Sequence, residues 1–195
     1  TEGDQVVTSR FMNDIPAPPF WRMAQRANHL PDDQPVDRWQ ICRFSPPSHV
    51  MIEVGVALPD GRKFCSLIVP PLHWTHWDPA AERVHCISRS MLARHGRPLV
   101  PVVEELNAFV GGGTVYSDGW VVDDPWWRKL HREAGIEPCY RLSALEMILD
   151  QAQMEHWQTA KNAVLAELGA GRHRASFDAY VIQETFWRTH QSRAA

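Results

Sequence analysis

The stretch Val50-Met51-Ile52-Glu53-Val54-Gly55-Val56-Ala57-Leu58 decides the prediction of the fold. It is a short apolar run rich in β-branched residues, which is typical of a strand buried inside a sheet. The turn sequence Pro59-Asp60-Gly61-Arg62 closes it, and residues 63–69 form the next apolar run. Because residues 38–44 also have strand character, we predict three strands in an antiparallel meander.

The second half of the chain has the patterns of alternating helices and short strands. Residues 98–110 carry apolar side chains at the spacing of an amphipathic helix, and three consecutive glycines follow it. Meander strands followed by alternating helices and strands predict an α/β protein with a mixed sheet. The further predicted elements are strands at 114–117 and 140–142, a helix at 124–134 opening on Pro125, a helical region at 145–168 and a last helix at 176–189.

The first part of the chain has a different character. Prolines at positions 16, 18, 19, 31 and 35 interrupt any long helix. We therefore predict an irregular N-terminal extension over residues 1–38 and a single domain over residues 39–195.

Composition limits the classes of protein that this chain can represent. A chain of 195 residues with 44% hydrophobic and 22% charged residues suits one globular domain. It has no apolar run of membrane-spanning length and no signal-peptide pattern near Thr1, so we expect a cytoplasmic protein without a membrane partner. The net charge of -3 argues against a broad basic surface for duplex nucleic acid. No pair of cysteines has a zinc-ligand spacing, which favours reduced thiols.

Two short acidic motifs carry the candidate chemistry. The first runs from Tyr116 to Trp127 and contains Asp118, Asp123 and Asp124, and the second is His173-Arg174-Ala175-Ser176-Phe177-Asp178-Ala179. Carboxylates from distant segments are the oxygen ligands that hard divalent cations prefer, and a neighbouring histidine can take a proton from metal-bound water. The pattern therefore favours metal-dependent phosphodiester chemistry. Helix capping by the first motif and a structural role for the histidine are the alternatives.

These motifs, in this order, resemble those of the DEDDh branch of the 3'-5' exonucleases. Met51-Ile52-Glu53-Val54-Gly55 is similar to the second strand of that family, in which the glutamate is mainly structural. Asp123 matches its second acidic motif, and His173 and Asp178 match its third. The resemblance covers about two-thirds of the chain, from about Met51 to Trp187.

The resemblance implies a ribonuclease H-like fold, with a mixed five-stranded sheet flanked by helices. It implies that Asp123 and Asp178 hold magnesium or manganese, that His173 is the general base, and that Asp118 and Arg174 line the substrate cleft. The implied substrate is the 3' end of single-stranded DNA or RNA, and a homodimer is the assembly common among relatives.

One part of the resemblance is missing from this chain. The family's first motif is D-x-E, and the matching strand places Cys42 and Phe44 at its acidic positions. Neither side chain can replace a carboxylate for magnesium. Two hypotheses follow, namely an exonuclease with impaired activity, or an inactive exonuclease-like module that binds nucleic acid or protein. Asp37 or another N-terminal acid could supply the ligand, or the first 47 residues could be a replaced segment.

Overall fold

A computed structural model describes the backbone of residues 40–44, 51–169 and 174–191, and these residues fall in one compact unit that spans Val36–Ala195. The predicted extension over residues 1–38 lies outside the described residues. In chain order the elements are β1 (Gln40–Phe44), β2 (Glu53–Ala57), β3 (Lys63–Leu67), α1 (Pro79–His85), α2 (Arg89–His95), α3 (Leu99–Val110), β4 (Thr114–Ser117), α4 (Trp120–Ala134), β5 (Arg141–Ala144), a 3-10 turn (Leu145–Met147), α5 (Gln151–Leu168) and α6 (Ala175–Gln191).

The described strands form one sheet in the order β3-β2-β1-β4-β5. The pairs β1–β2 and β2–β3 are antiparallel, whereas β1–β4 and β4–β5 are parallel. Strand β1 is therefore where the direction of pairing changes. Its partners come from both halves of the chain, since Ile41 pairs with Ala57 on one side and with Tyr116 on the other.

The β2–β3 hairpin follows from local sequence. Every residue of β2 is buried, as expected for an apolar strand in the middle of a sheet. In the turn, the Leu58 amide donates to the Arg62 carbonyl at 2.9 Å, and the Asp60 carboxylate accepts from the Arg62 amide at 2.9 Å. Gly61 has a φ of +85°, which glycine adopts without steric cost. The turn thus sets the register of the hairpin.

Capping residues account for the helix boundaries. Asp78 accepts from the Ala80 amide at 2.7 Å to begin α1, and Ser88 accepts from the Met91 amide at 3.1 Å to begin α2. Asp150 forms a capping box with Gln153 at the start of α5. Gly111 adopts a left-handed conformation that ends α3.

Helix α4 begins earlier than predicted. It starts at Trp120, so Asp123 lies in its first turn and is not its capping residue. Pro125 lies inside the helix, where its missing N–H leaves the Val121 carbonyl without a helical donor. The sequence Asp123-Asp124-Pro125 suggested a helix start, but the chain turns into the helix directly after β4.

Two apolar clusters hold the described elements together. The larger joins the central strands to α3 and α4, and Val102, Val103 and Leu106 are fully buried in it. The smaller cluster joins Ile182 and Phe186 of α6 to Leu145. Helix α6 packs on β1, β2 and β3 as well as on α5. The last helix therefore covers the meander formed by the first strands.

A buried histidine that sequence analysis did not single out links α4 to the chain before β5. His131 is 4% exposed and packs edge-on against Trp127 and Tyr140. One ring nitrogen lies 3.0 Å from the Ile136 carbonyl oxygen and the other 3.3 Å from the Tyr140 hydroxyl. Burial lowers the pKa of His131 from its ordinary value of 6.5, so the neutral ring is favoured in the folded protein.

This environment predicts that acid destabilises the protein through His131. As the pH falls below 6.5, the unfolded chain takes up a proton that folded His131 does not, so the free energy of unfolding falls until the folded pKa is passed. Urea unfolding at pH 7.5 and pH 5.5 checks this, and His131→Gln should show a smaller loss than the unsubstituted protein. Burial also lowers the pKa of His85, so His85 contributes to the loss of stability in acid with the same sign. The double variant with His85→Asn should therefore show the smallest loss, and equal losses in all three proteins would contradict the prediction.

Candidate functional site

Polar side chains gather where β4 ends. Ser117 is the last residue of β4, and its hydroxyl donates to the Asp123 carboxylate and accepts from the Gly119 amide at 2.9 Å. Asp123 is only 1% exposed. A buried carboxylate needs such donors to offset its lost hydration. The first turn of α4 is thereby tied to the end of the strand.

Asp118 follows Ser117 and connects this edge to α5. Its carboxylate pairs with the Lys161 ammonium, and the exposed fractions of the two side chains are 10% and 24%. Because β4 and β5 are parallel, the ends of both strands lie at this edge, the usual place for ligand sites in such sheets. We name Ser117, Asp118, Asp123 and Lys161 the β4-edge cluster.

Apolar side chains are exposed beside the β4-edge cluster. The first turn of α4 presents Trp120, Val121 and Val122 with exposed fractions of 37%, 78% and 48%. Met147, which follows β5, is 75% exposed. Scattered apolar residues are common on protein surfaces, but a consecutive run of three beside buried polar groups suits contact with an apolar or aromatic surface.

The other predicted cleft residue, Arg174, has a partner within the fold. Its guanidinium donates to the Glu53 carboxylate at 2.8 Å, and the Ala175 amide donates to the same carboxylate at 2.7 Å. Glu53 is 0% exposed, and the Cys65 thiol lies 3.6 Å from it. Burial, together with the charge of Glu53, raises the pKa of the Cys65 thiol to about 12, which keeps that thiol protonated. The contacts of Arg174 join the start of α6 to β2, and the expected place of Arg174 in a cleft stays a prediction.

Asp178 lies in the first turn of α6 and is partly buried, and its amide donates to the Arg174 carbonyl at 2.8 Å. Helices α4 and α6 both pack on β1, which brings the helices that carry Asp123 and Asp178 to the same strand. His173, the predicted general base, lies outside the described residues. Among residues 51–169 and 174–190, no three His, Cys, Asp or Glu side chains are grouped as a metal site requires. Metal binding by Asp123 and Asp178 stays a prediction.

Calorimetry tests the role of Asp178 directly. If Asp178 ligates a cation, Asp178→Ala should weaken manganese binding at least tenfold, whereas Asp124→Ala is a matched control because Asp124 pairs with Arg128 at 2.7 Å. Equal affinities of the unsubstituted protein and Asp178→Ala would show that Asp178 is not a ligand.

Comparison with known proteins identifies the family of the chain. Residues 1–104 match the family described as the vanillate O-demethylase oxygenase C-terminal domain. The match covers more than half of the 195 residues, so the chain belongs to this family. It includes β1, β2 and β3 and ends within α3, and the β4-edge cluster lies beyond it.

Two curated relatives carry the name vanillate O-demethylase oxygenase subunit. One is from Pseudomonas sp. (strain HR199 / DSM 7063) and the other from Pseudomonas sp. (strain ATCC 19151), and each is 73% identical to this chain over 56 residues. Those residues are 29% of this chain but only 16% and 17% of the two relatives. The chain thus spans about a sixth of the length of the curated relatives that it matches.

These findings correct the exonuclease interpretation. The prediction of the DEDDh family is wrong, and so are the ribonuclease H-like fold class, the phosphodiesterase activity and the nucleic-acid partner. The alternative of an inactive exonuclease-like module that binds nucleic acid or protein is wrong as well. The resemblance rested on short motifs, whereas the family match is continuous over residues 1–104 and includes the Glu53–Ala57 strand. The five-stranded order of the sheet is not evidence for the exonuclease family, because unrelated families share the same sheet architecture.

No helix in the described ranges is both long and apolar enough to cross a bilayer.

Proposed function

We propose that this chain is part of an oxygenase subunit that removes the O-methyl group of vanillate or a closely related methoxylated aromatic acid. The observation that carries the proposal is the 73% identity over 56 residues with two proteins named vanillate O-demethylase oxygenase subunit. The family match over residues 1–104 supports it and indicates the C-terminal domain of such a subunit.

The proposed reaction has a defined balance. One atom of dioxygen enters a C–H bond of the O-methyl group, and the resulting hemiacetal breaks into a phenol and formaldehyde. The other oxygen atom leaves as water, which consumes two electrons and two protons. Oxygen activation of this kind is usually carried by a cofactor, while the protein supplies binding and orientation. The proposal therefore includes an external two-electron donor, and the word subunit in the names of both relatives supports an assembly.

In this proposal, the matched region serves as a structural framework. Strands β1, β2 and β3 form a meander in which every residue of β2 is buried, and α6 packs against it through the contacts of Glu53 with Arg174 and Ala175. An oxygenase must hold its substrate in a fixed orientation, and rigid sheet elements do this more accurately than loops. We also propose a cytoplasmic location, which the free thiols of Cys65, Cys86 and Cys139 support.

A segment exchange tests the proposal. The segment of a full-length Pseudomonas relative that corresponds to the 56 matched residues is replaced by the sequence of this chain, and formaldehyde release from vanillate is measured with the relative's own electron donor. We expect activity within about tenfold of the unmodified relative, because conservative replacements in a core preserve its volume and pattern. The same exchange between the two curated relatives is the control.

One result of the segment exchange would contradict the proposed function. A chimera that folds, as judged by circular dichroism and thermal unfolding, but releases no formaldehyde would show that the matched segment of this chain is not functionally equivalent. The proposed function would then fail.

A further inference from the structure

The three lysines of the sequence, Lys63, Lys129 and Lys161, have different environments. Lys161 forms an ion pair with Asp118. The ammonium of Lys129 lies 4.3 Å from the ring centre of Trp74 and 5.1 Å from that of Trp126. The Lys63 nitrogen lies 3.6 Å from the ring centre of Tyr180. Such a small set allows the reactivity of each amine to be compared within one protein.

Lys63 lies in a partly buried position between the sheet and the last helix. It is the first residue of β3, where it pairs with Ala57, and Tyr180 belongs to α6, which packs on the same strands. Burial lowers the pKa of Lys63 to about 8, although the carboxylate of Glu184 on α6 acts in the opposite direction. An ordinary lysine has a pKa near 10.4, so a far larger fraction of Lys63 is neutral at physiological pH. A neutral amine is the form that attacks carbonyl carbon.

We propose that Lys63 and Tyr180 together form a capture site for a small aldehyde, with formaldehyde as the expected ligand. The geometry that carries this is an amine held over the face of a phenol ring, two groups that one carbon atom can join. The source of formaldehyde rests on the proposed demethylase function, whereas the reactivity of the site does not.

The chemistry balances without an oxidant or reductant. The neutral Lys63 amine adds to formaldehyde, and the adduct takes up one proton from solvent and loses one water molecule to give a protonated imine. The ring carbon of Tyr180 next to the hydroxyl-bearing carbon then attacks the imine carbon, and the proton leaving the ring passes to the lysine nitrogen. The product is a methylene bridge between the two side chains, and the protein gains the mass of one carbon atom.

The bridge favours a one-carbon aldehyde over larger ones. A substituted aldehyde would place its extra carbons between the sheet and α6, where the neighbouring residues Val181, Ile182 and Gln183 are buried. Acetaldehyde should therefore form the bridge much more slowly than formaldehyde.

The experiment exposes the full chain to formaldehyde at neutral pH and maps the products by mass spectrometry. We expect a linked peptide pair joining Lys63 to Tyr180. In a parallel reaction with cyanoborohydride, which traps imines as methylated lysines, we expect Lys63 to react on the order of tenfold faster than Lys161. Tyr180→Phe should lose the linked pair but keep the trapped Lys63 product, because the phenyl ring lacks the activating hydroxyl.

Two control variants make the result decisive. Lys63→Met should lose both products, whereas Lys129→Met should lose neither, although Lys129 also lies over aromatic rings. Trapping of Lys129 or Lys161 at the rate of Lys63, or the absence of a Lys63–Tyr180 bridge, would overturn the proposal. Because formaldehyde is supplied directly, these outcomes are independent of whether the segment exchange supports demethylase activity.

Discussion

Replacing Glu53 with alanine is expected to lower the free energy of unfolding by about 3 kcal/mol, the lower end of the range for breaking a buried ion pair. Glu53 is 0% exposed and accepts hydrogen bonds from the Arg174 guanidinium and the Ala175 amide. Alanine would leave both donors without their acceptor. The Arg174 side chain is 35% exposed and can regain water, which is why a loss at the upper end is not expected.

Equilibrium unfolding in urea measures the change, provided that the slope of the transition is unaltered. Glu105→Ala is the matched control, because Glu105 also pairs with an arginine, Arg97, but its side chain is 53% exposed. Exposed pairs contribute less than about 1 kcal/mol. A similar loss in both variants would show that the Glu53 contacts are no stronger than a surface pair.

Replacing Gly55 with alanine is the second change with a large expected effect. A Cβ atom at Gly55 would lie 2.4 Å from the Ala175 carbonyl carbon and 2.5 Å from the Ser176 amide nitrogen. These are backbone atoms, so the start of α6 must move away from β2. We expect a loss of about 3 kcal/mol in the free energy of unfolding, the upper end of the usual range for overpacking.

A variant at a second glycine, Gly135, distinguishes the cost of a close contact from the cost of backbone strain. Gly135 has a φ of +66°, and no atom lies within 4 Å of the position of an added Cβ. Gly135→Ala should therefore lose only about 1 kcal/mol, the conformational penalty alone. Thermal or urea unfolding of both variants makes the comparison, and a loss at Gly55 no greater than at Gly135 would disprove the close contact.

Both substitutions act on the same contact between distant parts of the chain. Glu53 and Gly55 lie within the residues that match the oxygenase family, whereas Arg174 and Ala175 lie beyond them. Because β1 also pairs with β4, the matched residues and the rest of the chain share one sheet. We therefore expect the two regions to unfold in one transition rather than two.

Local patterns predicted several elements closely. The amphipathic spacing at 98–110 corresponds to Leu99–Val110, and the apolar spacing at 176–189 corresponds to Ala175–Gln191. The turn at residues 59–62 joins β2 and β3 as its composition indicated. These features depend on residues a few positions apart, for which periodicity and turn chemistry are direct physical causes.

The candidate site was harder to predict, for two different reasons. Sequence reasoning selected Asp118 and Asp123 but could not show that Lys161 and Ser117 are their partners. It also assigned the wrong family, because short acidic motifs recur in unrelated proteins and carry less information than a continuous match over residues 1–104. The missing acidic pair at Cys42 and Phe44 was the signal against that assignment.

The sequence by itself determined the apolar β2 strand, its turn and the amphipathic helices, since each arises from interactions between near neighbours along the chain. Only the tertiary structure decided that Glu53 would accept a hydrogen bond at the start of α6 and that the backbone of α6 would pack closely against Gly55. The same is true of the position of Lys63 over the Tyr180 ring. The Glu53–Arg174 contact joins residues 121 positions apart, and no local pattern encodes such a pair. It forms because the sheet and α6 bury their apolar faces together, which brings the few polar groups between them into contact.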